Sequence, residues 1–210
     1  MSWIEPKIDV HICHEPGGLL GVDYNRVLNE SKWNWLLFID HDVLLSTNPN
    51  WYYISQKCIE DYPQAGAFTC YCNWMANPFQ VPENTPKHNT DVMTHRKFSQ
   101  QLWQKNGFRC TRWTDRRKPP GGFFMLLNRE KALHVGGFPG KGQFAEDSYF
   151  FQRMYDVEFE VYRMDGLYLY HVRDRFMGTF IDEDKTACEM SGVTQPATAT
   201  TTRRRKYRNR

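Results

Sequence analysis

Asp40, His41 and Asp42 follow directly on Trp35–Ile39 (WLLFI), so two carboxylates one residue apart stand at the end of an apolar run. In open α/β sheets ligands bind beyond the carboxyl ends of the strands, which is where this spacing puts both acids. Two carboxylates this close repel each other, and a divalent cation relieves that repulsion. Mn2+ and Mg2+ take one or two carboxylates and leave coordination positions for substrate phosphates. The plainer reading has Asp40 capping a turn and Asp42 solvated. His41 lies between them, and strand-like alternation turns it to the opposite face, in a core or supporting role rather than as a ligand.

Other residues carry chemistry further along the chain. Glu146 and Asp147 open an apolar-periodic segment, where an acidic pair favours a helix N-terminus through the dipole. Arg173 and Arg175 are placed to pair with phosphate oxygens, against the plainer reading of solvated loop arginines. Arg109, Arg112, Arg116, Arg117 and Lys118 are interleaved with Trp113, which suggests a basic loop with an indole free to stack on a sugar face. His11, His14, His88, His95 and His134 lack comparable context and read as surface or core residues.

The elements that must position these groups follow from periodicity and punctuation. Strands are expected at Lys7–His14, Trp35–Ile39, Ala65–Cys72 and Phe123–Leu127, with a short one at Arg109–Trp113. Two more, Glu158–Met164 and Leu167–His171, flank Asp165-Gly166, a hairpin dipeptide. Helices are expected over Val22–Ser31, Trp51–Tyr62, Thr90–Lys105, Arg129–Val135 and Ala145–Tyr155, with a proline-bearing loop from Asn73 to Asn89. Strands alternating with helices, two of the strands apolar throughout, predict a single-domain mixed α/β fold with a largely parallel sheet flanked by helices.

Charge separates this body from its tail. The chain has 210 residues and a net charge of +3, but Arg203, Arg204, Arg205, Lys206, Arg208 and Arg210 stand together at the end with no acid among them. Without those six, 21 basic residues face 24 acidic ones. A nucleic-acid-binding body needs a basic face of its own, so that class is excluded for residues 1–187. Residues 188–210 turn to Ser, Thr, Ala and then Arg, the composition of a disordered tail that could contact an anionic surface. No run of ~18 apolar residues supplies a transmembrane segment. Six scattered cysteines without a zinc-type second pair read as buried thiols, and with no secretory leader pattern the expected setting is cytoplasmic.

Several short motifs occur in a fixed order: Gly21-Val-Asp-Tyr-Asn25-Arg26, Phe38-Ile-Asp-His-Asp-Val43, Gly121-Gly-Phe-Phe-Met-Leu-Leu-Asn-Arg129, Gly136-Gly-Phe138, Glu146-Asp147 and Gly166-Leu-Tyr-Leu-Tyr-His171. Together they resemble the GT-A fold glycosyltransferases, in particular small inverting family-two-like members of phages and bacteria. The resemblance spans roughly Ile8 to Arg175. It implies a GT-A-like, Rossmann-like fold and transfer of a sugar from a UDP- or GDP-sugar donor to a carbohydrate or glycoconjugate acceptor, with Mn2+ or Mg2+ as cofactor. It implies that Asp40 contacts the donor nucleotide, that Asp42 binds the metal with Asp40 beside it, and that His171 completes the metal site. Asn25, Arg26 and Arg173 fall among the donor-binding positions. Asp147 is then the candidate general base, with Glu146 as its competitor. The sequence departs from fuller family members in a shortened N-terminal nucleotide-binding part. Two other classes compete: a sugar-phosphate nucleotidyltransferase, and a non-catalytic virion or binding protein on the same fold.

Overall fold

Apolar residues alternate between two helical covers, and that alternation organises the fold. The computed structural model describes residues 11, 19–75, 77–140 and 146–172. Along the chain they form α1 (Leu20–Glu30), β1 (Trp35–Ile39), β2 (Val43–Leu44), a 3-10 turn (Leu45–Thr47) and α2 (Trp51–Asp61). Then come β3 (Ala65–Cys72), a second 3-10 turn (Pro78–Gln80), α3 (Val92–Asn106), β4 (Cys110–Arg112) and β5 (Phe124–Asn128). The last elements are α4 (Arg129–His134), α5 (Glu146–Asp156) and β6 (Glu160–His171). Six strands make one sheet in the order β1-β5-β3-β6-β2, with β4 also on β6.

Met125 and Leu127 of β5 join Ala67 of β3 in a core with Tyr24, Val27 and Leu28 of α1 and Phe150, Phe151 and Met154 of α5. Phe124 and Leu126 face the other way, with Phe68, Cys70 and Cys72, against Ile54 and Cys58 of α2. Trp103 of α3 packs against this second core. The mixed α/β architecture with flanking helices is therefore as expected. The largely parallel sheet is not. Among the described residues only β3 and β6 pair in parallel, while β1–β5, β3–β5, β4–β6 and β2–β6 are antiparallel. Continuous apolarity reports that both faces of a strand are covered, and it carries no information on direction.

The second correction concerns Asp165-Gly166. These residues do not turn the chain but sit inside one long strand, β6. Its register with β3 jumps from Cys70↔Met164 to Tyr71↔Tyr168, so Asp165, Gly166 and Leu167 are extra residues on the β6 side. The Asp165 carboxylate is fully buried and takes Arg109 Nε at 2.9 Å, Arg163 Nε at 3.0 Å and Thr111 Oγ1 at 2.6 Å. Gly166 is pressed against Gly107, whose carbonyl oxygen would lie 2.0 Å from any added Cβ. A buried acid with three donors anchors this bulge, which overrides the local turn preference.

Most other elements lie within a few residues of their expected bounds; β2 and the two 3-10 turns were not anticipated. Cys58, Cys70 and Cys72 are buried free thiols and Cys110 is a partly exposed one, while Cys13 and Cys188 lie outside the described residues. Among the described residues no helix is long and apolar enough to cross a membrane. The strand expected over Lys7–His14 lies outside the described residues apart from His11, which is exposed. The boundary at 187/188 and the basic tail also lie outside them.

Candidate metal centre

The acids at the end of β1 sit in a turn rather than in a continuing strand. Asp40 N–H extends the ladder to Phe123 O at 3.0 Å, and Val43 N–H closes back on Asp40 O at 3.2 Å. The chain then re-enters the sheet as β2, which pairs with the far end of β6 through Val43↔His171 and Leu44↔Tyr170. Val172 N–H donates to Asp42 O at 2.9 Å, and His171 N–H to Asn73 Oδ1 at 2.7 Å. These contacts fix His171 against the turn although it lies 129 residues after Asp42. The turn also exposes His41, so it is not the core residue expected, and its effect on the site is the charge it places beside Asp42. Strand alternation does not extend through a turn.

His171 Nε2 lies 3.0 Å from Asp42 Oδ1 and 3.8 Å from Asp40 Oδ2. One ligand atom from each of the three residues falls within 4.8 Å of the others. An octahedral ion with bonds of ~2.1 Å has neighbouring ligands ~3.0 Å apart and opposite ones ~4.2 Å apart, so small adjustments would seat it. Two carboxylates with one imidazole suit Mn2+ better than Mg2+, because imidazole favours transition ions. Burial works to raise the Asp42 carboxyl, but the hydrogen bond and charge of His171, with His41 adding to them, hold it below its ordinary value.

The imidazole is 1% exposed and stacked on Phe123, with ring centres 5.7 Å apart and planes at 21°. Its Nδ1 is buried without a hydrogen-bond partner. A ligating histidine commonly passes that N–H to an outer acceptor. Here ring stacking and the Asn73 contact to its backbone hold it instead.

Asp147 comes to the same strand ends from the first turn of α5. It accepts from Ser148 N–H at 2.8 Å and packs on Gly122, where a Cβ would lie 3.0 Å from its own. Burial pushes its carboxyl above the ordinary value of 3.8, against the lowering effect of backbone hydrogen bonds from Ser148 and Gly122. Gly122 precedes Phe123, whose carbonyl holds Asp40, so one short segment touches both Asp40 and Asp147. Gln80 holds that segment from the other side, giving Nε2 to Gly121 O and taking Gly121 N–H on Oε1 at 2.7 Å. Asn77 Nδ2 donates to the carbonyls of Lys118 and Pro119, each at 2.8 Å.

The remaining expected residues have other commitments. Glu146 is buried, accepts Gly140 N–H at 2.8 Å and lies against Gly21, where a Cβ would meet its Oε2 at 2.2 Å. Asn25 clamps the Phe138 backbone, accepting its N–H at 2.7 Å and donating to its carbonyl at 2.8 Å. Arg26 pairs with Glu30 at 3.4 Å along α1. Arg173 and Arg175 lie outside the described residues. Trp113 is not free to stack on a sugar: it is 8% exposed, joins the α1–α5 core and donates Nε1–H to Lys118 O at 2.9 Å. The large apolar ring gains more from the core than from solvent. Its basic neighbours Arg109, Arg112 and Arg117 pair with Asp165, Glu160 and Asp115.

His95 is a core residue, hydrogen-bonded to Tyr168 OH at 2.7 Å and stacked 3.7 Å from Tyr170, whereas His88 and His134 are exposed. Asn73, Asn77 and Gln80 were missed by sequence reasoning. They sit in a loop without periodicity, and no spacing rule marks which amides of a loop will be buried.

No family model matches this chain, and no curated protein sequence matches it.

Proposed function

We propose that the protein is a divalent-cation-dependent glycosyltransferase that moves a sugar from a nucleotide-sugar donor to a carbohydrate-type acceptor with inversion. The observation that carries the reading is the convergence of Asp40, Asp42 and His171 within 4.8 Å at one end of the sheet. Asp40 and Asp42 share the turn, and His171 arrives at the end of β6. When bound there, Mn2+ or Mg2+ would neutralise the charge that develops on the leaving diphosphate.

Asp147 is the base of this proposal. Its carboxylate takes the proton of the acceptor hydroxyl as that oxygen attacks the anomeric carbon. The bond from that carbon to the diphosphate oxygen breaks on the opposite face, and a nucleoside diphosphate leaves. Burial makes Asp147 a stronger base than a solvated aspartate, which suits this step. Glu146 has a fixed structural partner in Gly140 N–H, which favours Asp147 of the two. Buried free thiols at Cys58, Cys70 and Cys72 fit the reducing cytoplasm, where nucleotide sugars are available to such an enzyme.

The test is a panel of UDP- and GDP-sugars incubated with and without MnCl2, for the wild type and Asp42→Ala, with release of nucleoside diphosphate as the readout. Metal-dependent release that Asp42→Ala abolishes is expected. Release of pyrophosphate from a sugar phosphate and a nucleoside triphosphate would move the protein to the nucleotidyltransferases. No turnover of any donor and no metal effect would remove the basis of the proposal.

A further inference from the structure

Apart from the Asp–Asp–His group, a cavity of about 460 Å3 opens between the turn leading into α2 and one face of α3. Its volume lies within the ~300–1,000 Å3 common for small-molecule sites. Its lining is unusual in kind. Pro49 aside, it consists of two hydroxyls, four carboxamides and one indole, with no formally charged side chain.

The parts of this lining are held in place. Thr47 Oγ1 accepts Tyr170 N–H at 3.3 Å, and Ser99 Oγ donates to Tyr168 O at 2.9 Å, so the hydroxyls are tied to β6. Trp103 meets Phe108 edge-on, with centroids 4.8 Å apart and planes at 76°, and its Cε3 would lie 3.0 Å from a Cβ on Gly166. The indole is thus fixed while remaining only partly buried. Asn48 is 3% exposed; its Oδ1 accepts Asn50 N–H at 3.1 Å, and its Nδ2 is buried with no hydrogen-bond partner. The carboxamides of Asn50, Gln100 and Gln104 stand on exposed residues of the rim.

This chemistry selects its ligand. A carboxamide donates and accepts at once, and so does an alcohol, so a polyol can match every group. A charged ligand would lose hydration and find no counter-charge, and an aliphatic one would desolvate the carboxamides of Asn50, Gln100 and Gln104 without matching them. A fixed indole adds a flat apolar face that suits the C–H side of a sugar ring. We propose that this cavity binds an uncharged carbohydrate, a pyranose seated on Trp103 with its hydroxyls hydrogen-bonded by Asn50, Gln100 and Gln104. The proposal stands apart from the transferase reading and uses none of its residues.

Saturation-transfer NMR on the full chain tests it, with D-glucose, D-galactose, D-mannose, N-acetyl-D-glucosamine and glucose 6-phosphate as probes. At least one neutral sugar should receive saturation, equally with and without the diamagnetic MgCl2, whatever the outcome of the donor assay. Trp103→Ala should abolish the signal. Because Trp103 also packs against Gly166 and Phe108, the exposed pair Gln100→Ala/Gln104→Ala serves as the second variant. It should weaken binding by at least about fivefold with an unchanged melting temperature. The proposal is overturned if no neutral sugar binds the folded wild type, if the glutamine variant binds as tightly as the wild type, or if glucose 6-phosphate binds more tightly than glucose.

Discussion

Replacing Asp42 by asparagine tests the metal group without dismantling it. The amide is nearly isosteric and can still hydrogen-bond His171 Nε2, which lies 3.0 Å from Asp42 Oδ1. In the ion-free protein two effects oppose each other. A hydrogen bond to a charged group contributes about 1.5–3 kcal/mol and a neutral one about 0.5–1.5, so the exchange costs about 1 kcal/mol. The same exchange removes the repulsion between Asp42 and Asp40, whose ligand atoms lie within 4.8 Å. Both side chains are only partly exposed, at 23% and 33%. The balance of burial, repulsion and the His171 contact leaves the Asp42 carboxyl below its ordinary value, so its charged form stabilises the fold.

Without ion, Asp42→Asn should therefore melt slightly below the wild type, by no more than about 4 °C, at about 2–4 °C per kcal/mol for a chain of this size. Metal separates the two proteins. An ion present at about 100 times its dissociation constant stabilises the wild type by about 2.7 kcal/mol. That corresponds to a rise of about 5–11 °C, and Asp42→Asn should show none at the same MnCl2 concentration. The assay is thermal unfolding with MnCl2, with MgCl2 and with a chelator. Equal shifts in the two proteins would refute Asp42 as a ligand, and a wild type that never shifts would refute the site.

Further consequences can be checked independently. Asp147→Asn should retain donor binding and lose transfer by about 10²–10⁴-fold; unchanged transfer would move the base to another residue. Because the folded protein raises the Asp147 carboxyl above 3.8, its stability contribution is complete below that pH and is lost as pH rises through the folded value. Asp147→Asn should therefore melt higher than the wild type at pH 7, and a lower melting point would contradict the burial argument. Asn73→Ala removes the acceptor of His171 N–H in a fully buried setting and should cost about 1–3 kcal/mol while weakening the Mn2+ shift. Retention of the full shift would show that Asn73 does not position His171. Gly166→Ala should be the more damaging of two glycine substitutions, by about 1–3 kcal/mol in denaturant titration. Its Cβ would meet the Gly107 backbone at 2.0 Å, whereas the Cβ at Gly121 would meet the movable Met75 methyl at 1.8 Å. Equal losses would mean that β6 tolerates movement at its bulge.

Much of the layout was legible because it is local. The continuous apolar run WLLFI, the helical spacing of Ile54 and Cys58, and the apolar stretch Ala65–Cys72 mark their elements from neighbouring residues alone. The acid pair was legible for the same reason, since it stands where an apolar run stops. His41 was misjudged because Asp40 O accepts Val43 N–H, and that turn ends the alternation. Trp113 was misjudged because basic neighbours marked it as loop, while its ring was needed in the core. The hairpin expected at Asp165-Gly166 failed because Arg109, Thr111 and Arg163, none of them a feature of turn chemistry, converge on Asp165.

The sequence by itself determined most of the helices and strands, most of the apolar residues of the core, and that two acids stand at a strand end. These properties depend on neighbours a few positions away, and local periodicity records them. Strand direction, the β6 bulge and the partnership of Asp42 with His171 were decided only by tertiary structure. They depend on register between segments about a hundred residues apart. A shift of one residue in β6 would leave the composition unchanged and turn His171 to the other face of the sheet. Burial of Asp165 and the backbone approach at Gly166 fix that register, and with it the candidate centre.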